Sequence, residues 1–187
     1  LASLASWNYQ EVPKFKLGLC GERVGIDANQ DQLIELAKTN GFTAVQPLIW
    51  DLSKCDARKL AETKAKLAEM KMVWGAADLS TEFRQTDAIF KDDLKKLPAI
   101  AKVLQSAGVT RVATWVMPCH DLMTYRENFR LHSIRLKETA KVLEQFGLRL
   151  GLEYVGTKLV WTKMKFPFIH TMDETNELIA VIGQNNV

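Results

Sequence analysis

The sequence lacks any run of about 18 apolar residues, so no segment reads as a membrane span. Cysteine is scarce. Cys20, Cys55 and Cys119 are odd in number and none stands in CxxC spacing, which argues against a disulfide framework and against cysteine-ligated zinc. Buried free thiols are the expectation for all three. One-sided charge is missing as well. The 25 Lys and Arg against 22 Asp and Glu leave a formal charge of only +3, and the two signs interleave, as in Asp92-Asp93-Leu94-Lys95-Lys96. Such runs suit a solvated helix face, and no basic surface for nucleic acid is visible. The chain opens on Leu1-Ala2-Ser3-Leu4-Ala5-Ser6 without an initiator Met. Small residues of this kind flank export-signal cleavage sites, so residues 1–6 read either as a signal remnant or as an added leader. A cytoplasmic location is favoured, a periplasmic one following if the remnant is real.

What is present is apolar content and repetition. With 47% hydrophobic residues in 187, the chain can bury one core, and its 25% charged residues are spread out. We divide it into an N-terminal extension over 1–14 and a single domain over 15–187. Three segments are alike. Leu33-Ile34-Glu35-Leu36-Ala37-Lys38 leads through Gly41 to Phe42-Thr43-Ala44-Val45. Leu97-Pro98-Ala99-Ile100-Ala101-Lys102 leads through Gly108 to Val109-Thr110-Arg111-Val112. Leu136-Lys137-Glu138-Thr139-Ala140-Lys141 leads through Gly147 to Leu148-Arg149-Leu150. Each reads as an amphipathic helix, a glycine that ends it, and a strand apolar on both faces.

Extending the pattern predicts five βα units. Strands fall near 16–20, 43–49, 72–78, 111–117 and 149–155. Helices fall near 30–40, 56–70, 88–107, 125–146 and 173–183. Helix starts are expected at Asp56, Asp87, Thr124 with Glu127, and Asp173. Pro98 is expected to kink the third helix or to split it. Strict βα alternation allows an open doubly wound sheet or a closed (β/α)₈ barrel. The first strand is followed by Gly21-Glu22-Arg23-Val24-Gly25, which is neither GxGxxG nor a P-loop, so nucleotide-binding variants lose support. A sixth strand is expected to begin at Asn185-Asn186-Val187, where the sequence stops.

In either architecture ligands gather at the carboxyl ends of the strands. The candidates there include Cys20 and Glu22, Gln46 and Trp50, Asp78, Glu82 and Arg84, Trp115, His120, Glu153 and His170. Glu153 follows the apolar Leu150-Gly151-Leu152, where a buried carboxylate needs a cation, a metal or a structural partner. Trp50 and Trp115 could each stack on a sugar ring or belong to the core. Arg84 suits a polyhydroxyl or anionic ligand, or a surface pair with Glu82 or Asp87. His120 and His170 stand in strand-to-helix loops, as ligands, bases or plain loop residues. His132, inside the fourth helix, reads as helix-surface packing.

Gly108-Val109-Thr110-Arg111, Trp115-Val116-Met117-Pro118, Tyr125-Arg126-Glu127-Asn128-Phe129 and Gly151-Leu152-Glu153-Tyr154-Val155-Gly156 together resemble the xylose-isomerase-like sugar phosphate isomerase/epimerase superfamily. Glu82-Phe83-Arg84 and Ile182-Gly183-Gln184-Asn185-Asn186-Val187 are similar to the same group. The resemblance covers nearly everything from Phe15. It implies a (β/α)₈ TIM barrel, here about its first five units. It also implies a divalent metal (Mn, Mg, Co or Zn), held by a Glu after the fifth strand, an Asp after the sixth, a His after the seventh and a Glu after the eighth. Glu153 matches the first ligand and the other three have no position in this chain, so the metal is expected only with the missing strands. Gln46 and Asp78, where related endonucleases carry histidine, disfavour that branch.

The implied activity is a metal-dependent sugar or sugar-phosphate isomerase or epimerase, moving protons beside a carbonyl through an enediolate. Glu153 is its catalytic residue and metal ligand, and Trp50, Glu82, Arg84, Trp115, His120 and His170 are its substrate-binding set. The alternatives are a non-catalytic carbohydrate-binding barrel and a lyase acting on oxidised glycosides. The expected partners are a small-molecule carbohydrate and, because five strands leave open sheet edges, further copies of the chain.

Overall fold

Side-chain caps decide where the helices begin. The computed structural model describes residues 15–187, which leaves the 1–14 extension outside the described residues. Asn29 and Gln32 form a reciprocal capping box on α1 (Gln30–Thr39), and Asp56 accepts the Lys59 amide to start α3 (Ala57–Glu69). Between them lies a single turn, α2 (Ile49–Leu52). Thr124 and Glu127 box the start of α5 (Tyr125–Glu144), as the sequence predicts. Two expected caps are displaced. Thr86, not Asp87, caps α4 (Asp87–Ala107), and Thr171, not Asp173, caps α7 (Met172–Ile182), boxed with Glu174. The aspartates fall in the first turn instead, where their charge suits the helix dipole.

Pro98 does not split α4, which runs unbroken from Asp87 to Ala107. A proline removes one amide donor, and the burial of Leu97 and Ala101 beside it holds the helix together. α4 ends on Gly108 at φ 81°, a left-handed conformation that glycine adopts without cost. At the end of α3 the same conformation falls on Lys71, at φ 56°.

The strands are short at first and longer later. β1 (Gly18–Leu19), β2 (Ala44–Val45) and β3 (Val73–Trp74) form one parallel sheet. β4 (Ala77–Asp78), β5 (Arg111–Val116) and β7 (Arg149–Tyr154) form a second. β3 and β4 are the two halves of the strand expected over 72–78, broken at residues 75 and 76. An unforeseen antiparallel ribbon pairs β6 (Cys119–His120) with β8 (Phe166–Pro167), joining the loop after β5 to the loop that follows β7 and the short α6 (Lys158–Trp161).

Within each sheet the strands add in chain order, with no point at which the order reverses. A doubly wound sheet needs such a reversal and a barrel does not. These are five βα units of a TIM barrel. Past α7 the chain returns alongside β7. The Leu150 amide donates to the Asn186 backbone carbonyl at 2.7 Å, and the Asn186 side-chain Nδ2 donates to the carbonyls of Ala140 and Leu148.

The core lies between helices and sheet. Leu33, Ile34, Leu97, Leu104, Leu136, Leu143 and Leu178 are fully buried, as are the strand residues Val45 and Val116. Each such side chain contributes on the order of 2 kcal/mol by leaving water. Of the three free thiols only Cys119 is buried, Cys20 and Cys55 being half-buried, against the expectation of burial for all three.

Candidate active site

The ends of β1, β2 and β4 carry a polar ladder. The Cys20 thiol donates to Gln46 Oε1 at 2.7 Å, and Gln46 Nε2 donates to Asp78 Oδ2 at 2.8 Å. Gln30 braces it from α1, its Nε2 donating to the Gln46 carbonyl while its Oε1 accepts the Leu48 amide. Above the ladder opens a cleft of about 370 Å³, with Glu22, Gln46, Trp50, Asp78, Ser80 and Ile100 among its walls. Trp50 is 83% exposed, so it is not a core residue. Glu153, Trp115, His120 and His170 do not line this cleft.

The second sheet places a different group. Trp115 and Glu153 face each other across β5 and β7 in register, near the strands' carboxyl ends. Sequence reading places Glu153 as a charge buried at the end of an apolar strand. It is exposed, because Leu150 turns inward while the alternate side chains of β7, Arg149, Gly151 and Glu153, face out of the helix-packed layer. Among the described residues Glu153 has no salt-bridge partner within 4 Å.

Arg84 is committed to its neighbours. Its guanidinium grips Glu82 through Nε at 2.9 Å and Nη2 at 3.0 Å, and Nη1 donates to the Trp115 carbonyl at 2.7 Å. The same group sits over the rings of Phe83 and Trp115, at 4.7 and 5.0 Å. Burial works against the Glu82 charge, but the hydrogen bonds and charge of Arg84 outweigh it and hold the carboxyl below its ordinary range. The pair therefore acts as a brace for the Trp115 backbone. Asp87, the other partner considered for Arg84, pairs with Lys91 and Arg135 instead.

Arg135 is a residue that sequence reading missed. It is 4% exposed on α5, and its guanidinium ties down the loop before α4 through the carbonyls of Phe83 and Gln85 and the carboxylate of Asp87. A signal existed, since Arg135 and Leu136 continue the buried stripe formed with Asn128 and His132.

The three histidines differ in what holds them. His132 is 2% exposed, not on the helix surface as expected; it lies one turn before Leu136, on the inward stripe. Its ring meets Phe83 edge-on and Phe168 at a tilt, its Nδ1 donates to the Asn128 carbonyl, and its Nε2 is buried without a partner. Burial, opposed by the Asn128 hydrogen bond and reinforced by the positive charges of Arg84 and Arg135, pushes its pKa down to about 4. His120, on β6, accepts at Nδ1 from the amides of Leu122 and Met123, at 3.0 and 2.9 Å. His170 donates from Nδ1 to the Phe168 carbonyl at 2.7 Å and stacks on Trp161 at 4.5 Å between centroids. The Trp161 partner was also missed, although an aromatic in a strand-to-helix loop is a visible signal.

No known family profile matches the sequence, and no curated protein is significantly similar to it. Solved structures are similar in fold. A xylose isomerase domain protein from Alicyclobacillus acidocaldarius superposes with a TM-score of 0.71 at 23% identity, over 86% of this chain and 57% of its own. A D-psicose 3-epimerase studied with D-fructose gives 0.72 at 12% identity, over 92% and 62%. A zinc-bound IolI protein gives 0.71 at 16% identity, over 92% and 61%. The chain thus spans about three-fifths of the length of the structures it matches. Over that span it has the fold of the xylose isomerase-like TIM barrels.

Proposed function

We propose that the complete protein is a sugar isomerase or epimerase in which Glu153 moves a proton at a carbon beside a carbonyl. The observation that carries this reading is the position of Glu153, an exposed carboxylate without an ion-pair partner among the described residues, at the carboxyl end of β7 and opposite Trp115. A carboxylate so placed takes the proton from the carbon and becomes a carboxylic acid. The electron pair left behind spreads over the carbon and the carbonyl oxygen as an enediolate. A proton delivered to the opposite face by a second acid, from the part of the protein beyond this chain, gives the epimer. Return of the Glu153 proton to the neighbouring carbon, with the hydroxyl proton passing to the former carbonyl oxygen, gives the isomer. Trp115 offers a flat apolar wall for the sugar, and the Arg84–Glu82 brace keeps its backbone in place.

The resemblance carries a divalent metal with it. Among the described residues no three His, Cys, Asp or Glu side chains are grouped to hold one. Glu153 alone does not make a metal site. The fold neighbours support the substrate class in kind, since they include an enzyme named for D-psicose and another named for L-ribulose.

The test is C3 epimerisation of D-psicose and D-fructose by the complete protein with added Mn²⁺ or Mg²⁺. Glu153→Gln keeps the shape and removes the base, and should lower kcat by about a thousandfold. Unchanged turnover in the variant sinks the assignment. Sugar binding without any turnover, before or after chelation, points instead to a carbohydrate-binding barrel.

A further inference from the structure

The cleft above the polar ladder is a single cavity whose walls differ sharply in character. Leu48, Ile49 and Leu79 give it an apolar lining, and all three pack against the core. Trp50 joins them, yet its indole is 83% exposed and so is free to cover a ligand. At about 370 Å³ the cleft lies at the lower end of small-molecule sites and has room for one sugar ring.

Its charged lining is of one sign. Among the described residues Glu22 and Asp78 are the only charged groups on the cleft, and no Lys, Arg or His lines it. Neither carboxylate has an ion-pair partner within 4 Å among those residues. Gln46 holds Asp78 in place, its Nε2 donating to Oδ2 at 2.8 Å. Carboxylates accept hydrogen bonds from hydroxyls and repel a phosphate. A sugar ring offers both halves of the complement, an apolar face for the indole and hydroxyls at its edge for the carboxylates.

Strand register relates the cleft to Glu153. Asp78 pairs with Ala113 and Ala113 with Gly151, while Trp115 pairs with Glu153 two residues further along. Side chains two residues apart share a face, so Asp78, Trp115 and Glu153 project from the same face of the sheet. Two strand spacings across and two residues along put the Asp78 and Glu153 Cα atoms about 12 Å apart. One sugar ring does not span that separation, whereas two linked rings come close to it.

We propose that the cleft is a subsite for a second ring, so that the substrate is a neutral glycoside of a keto sugar, not a lone monosaccharide or a sugar phosphate. The reacting ring meets Glu153, and the other packs on Trp50 beside Glu22 and Asp78. This inference rests on the reading of the protein as a sugar isomerase or epimerase and names the substrate class of that site.

The test is equilibrium binding to the complete protein carrying Glu153→Gln, so that turnover does not intervene. The probes are D-fructose, D-fructose 6-phosphate and palatinose, in which a glucose ring is joined to O6 of D-fructose. By titration calorimetry palatinose should bind about tenfold more tightly than D-fructose, the gain from one stacked ring. It should also bind more tightly than D-fructose 6-phosphate, which carries charge where palatinose carries the ring. Adding Trp50→Ala removes the stacking surface, and adding Ile100→Trp fills the cleft from α4 while keeping every polar group. Each should bring palatinose to within about threefold of D-fructose. Far-ultraviolet circular dichroism checks folding, and the exposure of Trp50 makes its removal harmless to the core. A palatinose gain that is absent, or that survives in either folded variant, overturns the subsite, as does tighter binding of the phosphate. These are binding results and leave the kcat comparison of Glu153→Gln standing, whereas failure of that comparison removes the activity itself.

Discussion

The two halves of the chain treat their polar groups in opposite ways. Up to residue 80, Cys20, Gln46 and Asp78 satisfy one another from the ends of β1, β2 and β4, and Gln30 closes the ladder from the helix side. The later half holds the loose ends. Every described buried side-chain atom without a hydrogen-bond partner lies at or after residue 81, on Thr81, Asn128, His132, Arg135 and Asn186. Glu153 stands on the same half. A satisfied network stabilises and positions, whereas unpartnered groups cost stability and are tolerated where they serve another purpose. The difference separates a wall whose polar groups are satisfied from one that keeps polar groups open.

Acid should break this contrast most strongly. The folded pKa of His132, about 4, lies below the unfolded value near 6.5. The unfolded chain therefore binds a proton more readily, and stability falls as pH drops from 6.5 towards 4 and levels off below. Between pH 7 and pH 4.5 this group alone should cost about 2 kcal/mol. The charged and titratable groups acting on it are Arg84, Arg135 and His120, all on the second half. Urea denaturation at the two pH values measures the loss. His132→Phe, filling the same aromatic cluster, should shrink that difference, and an unaltered difference would show that other groups carry it.

A smaller effect tests the ladder. Gln46→Leu strips the amide from between Cys20 and Asp78, and should destabilise by about 1.5 kcal/mol in chemical denaturation. Its kcat should change far less than that of Glu153→Gln. A comparable collapse of both would erase the division between the two walls.

The smallest change concerns a turn. Of the five helices α1, α3, α4, α5 and α7, four are followed by a glycine in the left-handed conformation, at residues 41, 108, 147 and 183, and the turn after α3 carries Lys71 at φ 56°. Lys71→Gly should raise stability by about 0.5–1 kcal/mol, since a side chain there is mildly strained. A lower melting temperature would mean that Lys71 makes a contact worth more than the strain.

The repeat of helix, glycine and strand was readable because both periodicities are local and each is long enough to register. The helix spans agree with expectation to within a few residues, apart from the caps at Thr86 and Thr171, where a hydroxyl won over a nearby aspartate. The β6–β8 ribbon was hidden, because two-residue strands more than forty positions apart leave no periodic trace. The choice between barrel and doubly wound sheet was hidden for a related reason, since strand order is a property of the assembled sheet. The site was readable only as positions. That Glu82, Arg84 and Trp115 form one brace, and that His120 and His170 hold opposite tautomers, depends on backbone groups that carry no residue-specific signal.

The gap between β3 and β4 has a mechanical meaning. Gly75 still bonds back to Val45, while Leu79 already bonds forward to Ala113. The hydrogen-bond ladder changes allegiance within four residues instead of running continuously from β2 to β5. Local opening is expected to part the protein along such a seam. Amide protons of β1 and β2 and those of β5 and β7 should then exchange with solvent as two groups with different opening free energies, the six-residue pairing of β5 with β7 being the slower.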